Sequence, residues 1–253
     1  MNTRIPLLLL VNLLIVMASC QKDPLTLPVK VNFQFGMSAF VLEEANTGPV
    51  AMEETANPSL GLPGGAQPGN GPLKIDNAKL VISAIDFEGR REQGEDVFFT
   101  YTPPQPVVAD LAAETTSLPI SFDIPQGVYT RIEIILHLGT DELTPLVMTG
   151  MINRGPFQNL PVRFDYKFTE EIRMRGKGTN QANIVLSEDH PSLARVELDA
   201  ESVFRLVNMG MVMNASVVNE DGQDIVLIDN TNNLPIFNII ANRLGNAFSL
   251  VID

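Results

Sequence analysis

Two histidines and thirty carboxylates are the titratable material from which this chain could build a reaction centre. His137 lies in an apolar alternating stretch, where a ring facing solvent or a neighbouring strand is the ordinary outcome. His190 lies in Glu188-Asp189-His190-Pro191, a turn sequence. Either could activate a serine lying beside it in space, but the sequence has no Gly-x-Ser-x-Gly elbow. Zinc sites are built mainly from cysteine and histidine, and Cys20 is the only cysteine. Oxygen donors cluster at Glu220-Asp221-Gly222-Gln223-Asp224 and Asp229-Asn230-Thr231-Asn232-Asn233. Calcium prefers such donors, yet neither run has EF-hand spacing, so a hairpin turn at Asp221-Gly222 and a loop entering a helix are the simpler expectations.

Two further chemistries need weighing. Met209-Gly210-Met211-Val212-Met213, if extended, would project alternate thioethers that suit Cu(I); the same side chains fill irregular apolar core space well. A glycosidase needs two carboxylates about 5–10 Å apart, and among thirty acids such a pair arises by chance. The chain has no Trp and three Tyr, at 101, 129 and 166. Tyr166 falls on an apolar strand face, so aromatic sugar platforms are scarce. The expectation is a protein without catalytic residues, metal or cofactor.

The elements that would position these residues read mostly as strands. Val29, Val31, Phe33 and Phe35 alternate with polar residues, the period-two pattern of a half-buried strand. Further candidates are Lys79 to Phe87, Val97 to Thr102, Leu118 to Ile124, Val128 to Leu138, Leu146 to Ile152 and Leu160 to Phe168. Asn183 to Leu186, Ala194 to Leu198, Ile225 to Ile228 and Phe248 to Ile252 complete the set. Pro125-Gln126-Gly127 makes a turn, because Pro presets φ and Gly accepts a positive φ. Asp199 can cap a short helix reaching Val207. Asn233 with Pro235 opens a second helix, and Gly245 stands where a left-handed cap is expected. Gly and Pro crowd the 43–72 stretch, which reads as a long mobile loop. Many short strands and few helices predict an antiparallel two-sheet β-sandwich over 29–253, with one or two short helices near the C-terminus.

The N-terminus is of another kind. Arg4 precedes the 13-residue run Ile5 to Met17, interrupted by Pro6 and Asn12. A membrane-spanning helix needs about 20 apolar residues, so this run fits the core of a secretory signal peptide. Met17-Ala18-Ser19-Cys20 then resembles the lipobox of bacterial lipoproteins. The resemblance implies cleavage after Ser19, acylation of Cys20 with palmitate-type chains, and a short tether over 20–28. Several acyl chains hold firmly where one holds marginally. Acylation also removes a lone thiol from an oxidising compartment. Gln21, where lipoproteins retained in the inner membrane carry Asp, implies the outer membrane.

Leu118 to Leu138, with Asp-Ile-Pro-Gln-Gly-Val-Tyr at 123–129, resembles a motif of β-sandwich lipoproteins of unknown function. Ile225 to Ile252 is similar to the closing strand–helix–strand of that group. These resemblances imply a fold and an envelope location, with no activity. A net charge of −13 repels nucleic acid, so none is expected as a partner. The expected function is non-enzymatic: a lipid-anchored sandwich on the periplasmic or surface face, presented for binding or assembly with a protein partner or envelope complex. The alternatives are a fimbrial or adhesin subunit assembled by strand addition, using Val29 to Phe35 or Phe248 to Ile252, and a carboxylate-based hydrolase of envelope glycans.

Overall fold

Alternating apolar residues become strands here because each strand buries one face. In β1 (Pro28–Ser38), Val29, Val31, Phe33 and Phe35 turn inward while Lys30 and Asn32 stay exposed. The computed structural model describes residues 26–42, 72–155, 159–178, 183–189 and 192–253. Cys20, the lipobox, the tether up to Leu25, the loop residues 43–71 and His190 lie outside the described residues.

After β1 come β2 (Phe40–Leu42), β3 (Leu73–Arg91), β4 (Val97–Tyr101), β5 (Val107–Asp110) and β6 (Thr115–Thr116). Then follow β7 (Ser121–Pro125), β8 (Gly127–Leu138), β9 (Leu146–Asn153), β10 (Asn159–Tyr166), β11 (Glu170–Gly178), β12 (Ile184–Leu186) and β13 (Ser192–Asp199). The chain closes through helices α1 (Ala200–Phe204) and α2 (Met209–Asn214), strands β14 (Val218–Glu220) and β15 (Gln223–Ile228), helix α3 (Leu234–Leu244) and strand β16 (Phe248–Ile252). The protein is mainly β.

The spine is β3, 19 residues long where strands are usually 3–10. One of its edges carries β8 against Ile82–Arg91 and then β9 against Leu73–Leu80. The other carries β4, β5 and β2 in turn. Register shifts at Ile75/Asn77, Ile82/Ala84 and Arg90/Arg91 let so long a strand bend. From β8 the sheet continues through β11, β16, β13 and β1 to β7. Phe122 of β7 then packs on Phe99 and Tyr101 of β4, with ring centroids at 5.2 and 5.3 Å. One hydrophobic cluster runs from Val31 to Ile252.

The sheet is mixed, which corrects the antiparallel expectation. β1 pairs with β13, β10 with β15 and β11 with β16 in parallel register. Alternation reports which face of a strand is buried and carries no information on the direction of its neighbour. The two terminal strands are interior: β1 lies between β13 and β7, and β16 between β11 and β13.

The helices number three among the described residues. Asp199 caps α1 as expected, its carboxylate accepting from the Ser202 N–H at 3.0 Å, but α1 ends at Phe204. Met209 to Met213 is helical, because the Asn208 side chain caps it through the Met211 N–H at 3.1 Å. Its thioethers therefore do not alternate along a strand. Asn233 precedes α3 in the left-handed region, φ 52°, and its side chain makes no cap bond. It instead bridges the Ser216 backbone and the Leu227 carbonyl. Gly245 is right-handed, φ −60°, since the helix unwinds through bonds from Asn246 to Arg243 and from Ala247 to Leu244. At Asp221-Gly222 the expected hairpin forms between β14 and β15, both residues at positive φ, 51° and 85°.

Candidate functional site

Four strands bring titratable groups together on the outer face of the sheet. The order β4–β3–β8–β11 places Thr100, Asp86, His137 and Glu171 side by side, because Asp86 registers with Thr100 and His137 with Glu171. Asp86 accepts the Thr100 hydroxyl hydrogen bond at 2.6 Å and meets His137 Nε2 at 2.8 Å. Glu171 lies 3.6 Å from His137 Nδ1. The hydrogen bond from Thr100, with His137 and Arg173 adding to it against the opposing effect of burial, holds the Asp86 carboxyl below its ordinary range.

This arrangement differs from a nucleophile and its base. The group that accepts from Thr100 is a carboxylate held below its ordinary range, which makes it a weak base toward a hydroxyl. Both imidazole nitrogens face carboxylates. What the geometry can do is tie four adjacent strands by their outer side chains.

The same face continues as a charge ladder. Glu133 of β8 is 6% exposed and accepts from Arg131 at 2.6 Å and Arg173 at 2.9 Å. Arg173 reaches on to Glu88 at 3.3 Å. Burial opposes ionisation of Glu133, but the two guanidiniums outweigh it and lower its pKa.

A second buried carboxylate organises the loop before α3. Asp229, 3% exposed, accepts from the Thr231 N–H and hydroxyl and from the Asn232 N–H and amide, at 2.7–3.0 Å. Burial pushes its pKa up, and these four donors drive it far below the usual carboxylate range. With Lys167 also at 3.4 Å, its oxygens are spent on this chain's own groups. Among the described residues no group of three or more His, Cys, Asp or Glu is placed to hold a metal ion.

The 123–129 motif closes on itself. Tyr129 is fully buried, and its hydroxyl donates to the Pro125 carbonyl at 2.7 Å, in the manner of a tyrosine corner. The Arg91 guanidinium lies over the Tyr129 ring, 5.9 Å from its centroid, and donates to the Gln126 carbonyl at 2.7 Å. Beside it opens a cavity of about 470 Å³ lined by Thr26, Arg91, Gly94, Asp96, Phe98 and Pro125 among others. This cavity stands where the described chain begins, at Thr26.

His137 is thus on a strand and half-buried, and Tyr166 is in the core with its hydroxyl donated to Glu170. Sequence reading did not foresee the Asp86–Thr100–His137 bridge or Arg91. The available signal was only that Asp86, Thr100 and His137 occupy outward positions in alternating strands, whereas Arg91 follows the buried Phe87 and Gly89 on the inward side of β3. No family model matches the chain, and no curated protein or solved structure matches it.

Proposed function

We propose that this protein is a lipid-anchored component of a bacterial cell envelope, acylated at Cys20 after loss of residues 1–19. In this reading it presents a β-sandwich for binding or assembly without catalysing a reaction. The observation that carries the reading is the order Arg4, apolar run, Met17-Ala18-Ser19-Cys20, in a chain with no other cysteine. The packing of Phe122 on Phe99 and Tyr101 supports two stacked sheets, since it sets β7 at the far end of the strand order across from β4. Gln21 supports an outer-membrane location. The non-catalytic part of the reading is supported by an outer face whose titratable groups are committed to one another.

The test is a comparison of the wild type with Cys20→Ala, both tagged at the C-terminus, in fractionated cells labelled with an alkynyl palmitate. Label and membrane association in the wild type, both lost in the variant, are the expected results. A wild type that is soluble and unlabelled refutes the reading. Protease treatment of intact cells, with a periplasmic protein as leakage control, then distinguishes a surface domain from a periplasmic one.

Assembly by strand addition is a second reading, and the position of β1 favours it. This first described strand lies between β13 and β7, so its displacement would free two edges at once. Ladders on unheated gels would support it; a strictly monomeric mature protein would refute it.

A further inference from the structure

The place where the described chain begins also orients the molecule. Thr26 and Phe98 line the same cavity, and six peptide units separate Thr26 from Cys20. A chain of that length spans about 20 Å at most. If Cys20 carries acyl chains, this end of β3 cannot stand far from the bilayer.

The surface there suits a zwitterionic interface. Phe98 is 53% exposed on β4, and the Arg90 guanidinium lies over its ring at 5.0 Å. Arg90 pairs with Asp96 at 2.6 Å, and the same carboxylate accepts from the Arg91 N–H at 3.1 Å. Arg90 and Arg91 nearly balance Glu92, Glu95 and Asp96, in a chain whose net charge is −13. An aromatic ring with a guanidinium beside it matches the apolar-and-charged layering of lipid headgroups. The opposite end of the spine lies well away. Phe98 registers with Glu88 and Met151 with Lys74, fourteen residues apart on β3, or at most about 45 Å at strand rise.

We infer that the Thr26–Gly94–Phe98 end of the molecule rests on the headgroup surface of the membrane that holds the anchor, with Phe98 seated among the headgroups. The inference depends on the lipid-anchor reading and adds to it a docking surface and its partner, a zwitterionic bilayer.

The chain has no Trp, so Phe98→Trp and Met151→Trp each give a single reporter at an exposed position. Both full-length variants would be produced with the signal, checked for acylation of Cys20 by peptide mass, and reconstituted into phosphatidylethanolamine–phosphatidylcholine vesicles containing brominated lipid. Emission of Phe98→Trp should be quenched about threefold more than that of Met151→Trp, as an interfacial ring requires. Hydrogen exchange of the unsubstituted protein should slow across 94–98 on vesicle binding, which checks the result independently of either variant. Acylated protein with equal quenching, or with stronger quenching at Met151→Trp, overturns the orientation while leaving the anchor standing. Absence of acylation removes the anchor and the inference with it.

Discussion

The Tyr129 hydroxyl donates to the carbonyl of Pro125, four residues upstream, and the bond closes the β7–β8 turn from inside the core. Tyr129→Phe keeps the ring against Phe87 and removes only this donor. The expected loss is about 1–2 kcal/mol, read as a lower urea midpoint with unchanged slope.

The same phenol sets an alkaline limit. Burial, partly offset by Arg91, pushes its pKa up to about 12. A pKa raised by folding gives stability that is complete below the unfolded value near 10 and is lost as pH rises through the folded one. Between about pH 10 and 12 the wild type should therefore lose stability more steeply than Tyr129→Phe. Urea midpoints measured across that window check this.

Asp229 works at the acid end. Its folded pKa is depressed, so its contribution is present above the unfolded value near 3.9 and falls away as pH drops toward the folded one. Asp229→Ala leaves the N–H groups of Thr231 and Asn232 unpaired and should cost about 2–3 kcal/mol at pH 7. The gap to the wild type should narrow below pH 4. A gap constant down to pH 2 would contradict this account of the loop.

Thr100→Val tests the four-strand bridge. Losing the strongest donor to Asp86 should raise the Asp86 pKa, which carboxyl-carbon NMR titration reads directly. The sign follows from the depressed folded value: the variant loses acid stability at a higher pH than the wild type does.

Gly150 allows β9 to approach β3. A β-carbon there would stand 1.8 Å from the Lys74 carbonyl oxygen, and backbone on both sides cannot yield. Gly150→Ala should abolish soluble expression or cost more than about 3 kcal/mol. Gly222→Ala, in an open turn at φ 85°, should cost only about 1 kcal/mol.

Sequence legibility followed the density of apolar alternation. β1, β8, β10 and β13 could be read because apolar residues mark every second position. β11 could not, since Glu171, Arg173, Arg175 and Lys177 fill its outer face and leave Ile172 and Met174 as its only large apolar residues. The helix at the Met-rich segment was not legible because Met209, Met211 and Met213 happen to alternate, while the deciding residue, Asn208, stands one place earlier. The parallel neighbours of β1, β10 and β11 depend on partners distant in sequence, which local pattern does not encode. Of the candidate site, single residues were visible but their adjacency was not, because it is set by the register of β3 on β4 and β8.

The pairing of β1 with β13 has a consequence in time. Val31 to Ser38 are among the first described residues to leave a ribosome, and their parallel partners, Ser192 to Asp199, emerge some 160 residues later. A ladder closing so large a loop forms slowly, and the spine waits in the same way, since Leu73 pairs with Ile152. The body therefore cannot complete its core while its C-terminal quarter is still being delivered. That delay postpones completion of the fold until the whole chain has been delivered.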